Sequence, residues 1–141
     1  MNVMPIRFPR RLFRLAGIYG LIVMLPQYFL EHRIGVDQPP PITHPEYFYG
    51  FIGVAVAWQF VFLIIAADPI RYRALMLPAI LEKATFGLAA LALLAQRRIP
   101  IPVLVFALID LTWGALFALA YRATTRPVSG TALPSEATSF R

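Results

Sequence analysis

The chain has 141 residues, 59% of them hydrophobic and 14% charged, with a formal charge of +6 and no cysteine. Soluble domains run near a quarter charged, and a water-soluble fold of this length has no interior large enough for so much apolar surface, so that class is excluded. The missing thiols exclude disulfide exchange, thiolate catalysis, iron–sulfur clusters and zinc-thiolate sites, while basic residues gathered at the ends of apolar stretches suit lipid headgroups and argue against nucleic acid.

Four apolar segments, at about 12–30, 44–67, 69–95 and 103–121, each approach the ~20 residues a helix needs to cross a ~30 Å hydrocarbon core. They predict an all-α membrane domain over about 1–122: a bundle of four antiparallel transmembrane helices. The first segment begins like a signal peptide, but Pro26-Gln27-Tyr28-Phe29 followed by Glu31-His32-Arg33 offers no small-residue cleavage site, so it reads as a retained helix. Between it and the second, Ile34 to Ile42 with Pro39-Pro40-Pro41 predicts a stiff polyproline stretch. Thr43-His44-Pro45-Glu46 has the spacing of a capping box at the start of helix two. Asp68-Pro69 places a capping carboxylate before a first-turn proline, so helix three is expected to begin there with almost no loop. Such short connections predict that helices two and three, and three and four, pack as neighbours. From about residue 123 the chain is rich in Ser, Thr, Pro and Ala without apolar period, and reads as a disordered cytoplasmic tail.

Orientation follows from nine arginines, at 7, 10, 11, 14, 71, 73, 122, 126 and 141, that the alternating topology puts on one side, against Arg33, Arg97 and Arg98 on the other. The positive-inside rule then predicts both termini in the cytoplasm. Compact loops and arginine-dominated basic residues suit a bacterial inner membrane. Tyr28, Phe29, Tyr47, Phe48 and Tyr49 would mark the outer boundary, Tyr72 and Tyr121 the inner one.

Polar residues inside the helices carry the functional information. Counted at ~1.5 Å per residue from the helix ends, Gln59, Glu82, Lys83, Asp110 and Trp113 all fall roughly 12 to 16 Å deep, in one layer. A charge there costs about 2.5 to 3.5 kcal/mol on insertion scales unless it is paired. Lys83 shares a helix face with Ala79, Gly87 and Ala90, and Asp110 shares one with Trp113, Gly114 and Phe117, which predicts a Lys83–Asp110 pair between helices three and four. Its simplest role is structural, fixing helix register. Glu82 lies about 100° around the helix from Lys83. Gln59, the Trp58 indole or a proton of its own are the alternatives for satisfying it. Beside Pro78, whose ring opens the helix backbone, Glu82 is the best single site candidate. Trp58 and Trp113 read as packing residues or as ligand walls. The pairs Gly53-x-x-x-Ala57 and Gly114-x-x-x-Ala118 are candidate helix contacts.

No cofactor is implied. His32 and His44 fall in the outer loop, away from any intramembrane haem site, and His44 with Glu46 makes a poor metal site because the capping box already uses Glu46. A channel's rings of repeated polar residues and a transporter's paired repeats are both missing from the pattern.

Four short helices, the acidic Asp68 after helix two, the basic Arg71 and Arg73 opening helix three, and Glu82 and Asp110 within helices three and four together resemble small DoxX-like membrane proteins. The likeness covers roughly Leu12 to Tyr121 in outline. A second group of similar outline holds the sterol isomerases and sigma-2 type receptors, but its intramembrane histidine has no counterpart here. The resemblance implies a bundle that holds a hydrophobic small molecule near buried acids, or that serves as a membrane partner of another protein. Three functions follow as expectations. In the first, a lipid-like or quinone-like molecule has its polar end at Glu82, Gln59 and Asp110 and its body against Trp58, Phe86 and Trp113. In the second the chain is an accessory subunit of a larger membrane complex or of a homo-oligomer. In the third it is an isomerase-like enzyme acting on an apolar substrate by proton transfer through Glu82 or Asp110.

Overall fold

The computed structural model describes residues 6–124, so the expected tail from 125 onward lies outside the described residues. Every regular element in them is helical: α1 (Arg7–Met24), a 3₁₀ turn (Leu25–Phe29), α2 (Glu31–Asp37), α3 (Pro45–Ala67), a second 3₁₀ turn (Arg73–Leu75), α4 (Met76–Ala95) and α5 (Ile101–Ala123). Four helical runs, Arg7–Phe29, Pro45–Ala67, Arg73–Ala95 and Ile101–Ala123, are long and apolar enough to span a membrane. The chain is an integral membrane protein by that criterion.

Local chemistry moves several boundaries from their expected places. α1 begins five residues early because Pro9 sits in its first turn, where no backbone donor is needed. Its α geometry stops at Met24 because Pro26 supplies no N–H, and the chain continues as a 3₁₀ turn. The polyproline reading of 34–42 is corrected: Glu31–Asp37 forms a helical turn, closed by Ile34 N–H on Leu30 O at 2.8 Å and by an Arg33–Asp37 ion pair at 3.3 Å. The capping box is also corrected. His44 caps α3 without a side-chain hydrogen bond, and Glu46 turns instead to His44 Nδ1 at 3.2 Å. Asp68 does not open α4. Its Oδ1 accepts from the N–H of Ile70 at 3.2 Å and Arg71 at 3.1 Å, a side-chain-stabilised turn that delays helix until Arg73. α4 ends on Arg97, whose φ of 57° is the left-handed cap more often given to glycine, with Arg98 N–H on Leu93 O at 2.9 Å.

The largest correction concerns neighbours. α4 packs along α5 and α1 along α3, with α1 against α5 joining the two pairs, whereas α3 and α4 barely touch. Small residues explain the choice, since in lipid the close approach of two backbones decides association. On α1, Gly17 admits Leu63 and the Gln59 carbonyl, and Gly20 admits the Gln59 side chain. On α4, Gly87 admits Leu111, and Gly114 of α5 admits the Lys83 stem. The Gly53–Ala57 face is not a helix contact: Ala57 is exposed, and Gly53 meets only the Tyr28 hydroxyl.

The core occupies one end of the bundle. Leu12, Phe13 and Ala16 from α1 meet Phe62, Ile65 and Ala66 from α3, Met76 and Ala79 from α4, and Phe117 and Ala120 from α5. Phe13 stacks on Phe117 at 4.2 Å between centroids, and Phe62 meets Phe117 edge-on at 5.1 Å. Polar ties rim this end: the Arg73 guanidinium lies 3.6 Å from the Tyr121 ring centroid, and an Arg10 guanidinium N–H donates to Ala67 O at 3.4 Å.

Two glycines test the packing rule. Gly20→Val drives a side chain into Gln59 and is expected to cost about 1–3 kcal/mol by overpacking. Gly50→Ala meets nothing within 4 Å and is expected to stabilise slightly, by about 0.5–1 kcal/mol of helix propensity. Thermal unfolding in detergent micelles reads both, and equal effects at the two sites would contradict the arrangement.

Candidate functional site

Beyond the core, the helices diverge around a cavity of about 470 Å³ that residues from all four spanning segments line. Its inner end is polar: Gln59, Glu82, Lys83 and Asp110. Its walls are mainly apolar and aromatic, and Ile34 and Gln38 reach it from the connection between α1 and α3. The separation of α3 from α4 is what leaves this space open, and Gly87 of α4 is taken up by Leu111 of α5 rather than by α3.

The Lys83 side chain is only 11% exposed, and its ammonium is the hub of the polar end. Nζ lies 3.1 Å from Asp110 Oδ1 on the neighbouring helix and 3.4 Å from both Glu82 oxygens on its own. The side chains of Glu82 and Asp110 are 22% and 19% exposed, so the three charges are largely removed from solvent. Glu82 Oε2 is buried and accepts no hydrogen bond. Lys83 reaches this position because its Cβ sits over Gly114, where any larger residue of α5 would push the stem aside. A Phe62 ring 5.6 Å from Nζ closes the core side of the ammonium.

Gln59 lies at the same depth but outside this network. Its Nε2 donates to Ala55 O at 2.8 Å, one turn back along α3. The structure therefore brings together Glu82, Lys83, Asp110, Gln59, Phe86 and Trp113 around one space, and leaves Trp58 out of it. Trp58 packs on the core beside Phe62 at 6.2 Å, and its indole does not bond Glu82. Sequence reasoning missed Tyr19, Gly20 and Val23 of α1, which face the cavity. A small-residue pattern on α1, Ala16, Gly17 and Gly20, was the available signal for the Gly20 contact. His44 and Glu46 pair at the far end of α3, and no cluster of three or more His, Asp or Glu capable of holding a metal occurs among the described residues.

No family model, curated protein or solved structure matches the chain. The chemistry must be read from the site alone. The charge trio can anchor a polar group in a low-dielectric space, and the cavity above it is within the ~300–1,000 Å³ range of small-molecule sites.

Removing charges from the trio should cost unequal amounts. Lys83→Met leaves two buried carboxylates facing each other without a counter-ion and is expected to destabilise by about 3–5 kcal/mol. Asp110→Asn keeps a hydrogen-bond acceptor and leaves Lys83 paired with Glu82, so about 1–3 kcal/mol is expected. Denaturant titration of the two variants in mixed micelles checks the order, and a costlier Asp110→Asn would contradict the hub role of Lys83.

Proposed function

We propose that this chain binds a hydrophobic small molecule, lipid-like or quinone-like, in the cavity between its four spanning helices. The observation that carries the reading is the combination of a mainly apolar 470 Å³ space with a charged end, Glu82, Lys83 and Asp110, inside a helical bundle. A bundle that needed only stability would fill such a space, because voids cost packing energy and buried charges cost solvation. Glu82, Asp110 and the free Gln59 Oε1 meet the ligand's polar end, while Phe86 and Trp113 lie along its body. In this reading successive spanning helices run antiparallel, both termini face the cytoplasm of a bacterial inner membrane, and the ligand enters from lipid where α3 and α4 stand apart. The outline shared with small DoxX-like proteins belongs to the same proposal.

The test is extraction of the protein from its own membrane at natural abundance, with mass spectrometry of bound small molecules. One dominant hydrophobic compound is expected at near-stoichiometric yield. Val103→Trp, which places a ring into the cavity wall, should reduce its recovery at least ten-fold while the melting temperature holds. Equal recovery from Val103→Trp, or only bulk membrane lipid from both, would contradict the proposal.

A further inference from the structure

The polar end of the cavity holds two acids and one base. Two carboxylates, Glu82 and Asp110, face one ammonium, and no other Lys, Arg or His lines the space among the described residues. Lys83 lies closer to Asp110, at 3.1 Å, and reaches the two Glu82 oxygens only at 3.4 Å, with Oε2 left without a hydrogen bond. Glu82 is thus the less compensated of the two acids.

Hydrogen-bond capacity leans the same way. Lys83 Nζ points its donors at carboxylates and one Gln59 amide N–H goes to Ala55 O, while Glu82 Oε2 is left as a buried acceptor without a donor. A quinone brings acceptors alone and would leave Glu82 Oε2 without a donor. A ligand that completes the site brings a donor to Glu82, and a positive group also offsets the second acid.

The walls supply an independent indication. Six aromatic residues line the cavity: Tyr19, Phe48, Phe51, Phe86, Phe106 and Trp113. Ring faces attract ammonium and other soft cations, most strongly where water is excluded, and an apolar tail finds the same rings favourable. An acidic end and an aromatic sleeve together describe one chemical class.

We propose that the occupant is a cationic amphiphile, an ammonium or comparable organic cation carrying an apolar body, whose positive group lies against Glu82. This rests on the cavity being a ligand site and narrows what it takes. Asp110 stays with Lys83, while Glu82 becomes the counter-ion of the ligand. Glu82→Gln, of almost unchanged shape, leaves Lys83 and Asp110 balanced and removes the attraction.

The experiment uses the full chain in lipid nanodiscs, with empty nanodiscs as the partition baseline. Three probes are titrated: dodecyltrimethylammonium as the cation, dodecanol as a neutral hydroxyl amphiphile and menadione as a neutral quinone. Saturable one-to-one binding of the cation is expected, at least ten-fold tighter than either neutral probe, weakened ten-fold or more by Glu82→Gln and largely kept by Glu82→Asp. Saturable binding of dodecanol or menadione with none of the cation overturns the proposal and leaves the ligand-site reading standing. Binding of none of the three above baseline overturns both. Should Glu82→Gln fail to fold, the wild-type ranking of the cation against dodecanol decides, and equal affinities reject the proposal.

Discussion

An ammonium placed inside hydrocarbon must be enclosed by acceptors, and the rest of this bundle is arranged around that requirement. Lys83 meets it by reaching across to Asp110 on α5 while keeping Glu82 of its own helix within 3.4 Å. The reach is short because Gly114 lets the Lys83 stem lie against the α5 backbone and Gly87 admits Leu111 one turn further on. Register between α4 and α5 is thereby held by a charge contact flanked by two glycine contacts. Any slip of one residue would rotate Lys83 about 100° away from Asp110 and leave it facing lipid.

The charge layer also divides the molecule into two regimes. On one side Phe13, Phe62 and Phe117 interlock and all four spanning helices share a core. On the other, each helix keeps its close partner, α1 with α3 and α4 with α5, but the pairs stand apart and a cavity separates them. Lipid tails are as apolar as leucine, so nothing in the bilayer forces α3 and α4 together, and only small residues or polar contacts would. Among the described residues no hydrogen bond or salt bridge joins them at cavity depth, and the Lys83–Phe62 contact at 5.6 Å closes only the base. A hollow with charged residues at its base follows from where the glycines are.

How much of this the sequence discloses depends on the range of the interaction involved. Helix existence and span are local: 20-residue apolar runs state them, and the structure finds four such helices. The shared depth of Gln59, Glu82, Lys83 and Asp110 is also local, a matter of counting rise and period. Boundaries were less legible, because Asp68 spends its carboxylate on a turn and Glu46 on His44, two uses that spacing does not separate from capping. Neighbour choice was least legible. A short connection suggests that α3 and α4 pack together, but the energy lies in Gly17 and Gly20 against α3 and in Gly87 and Gly114 between α4 and α5. Trp58 went to the core for the same reason: the face of α3 that turns inward was set by α1, not by α4.

The central claim is a bundle tightly packed within its helix pairs and open between α3 and α4 at cavity depth. Because the chain has no cysteine, paired-cysteine cross-linking in native membranes tests it without background. Three double variants suffice: Gly87→Cys with Leu111→Cys, Gly17→Cys with Leu63→Cys, and Phe51→Cys with Phe86→Cys across the cavity. The account predicts ready disulfide formation in the first two, where a leucine side chain packs onto the glycine, and none in the third. Efficient cross-linking of positions 51 and 86, or failure at 87 and 111, would contradict it.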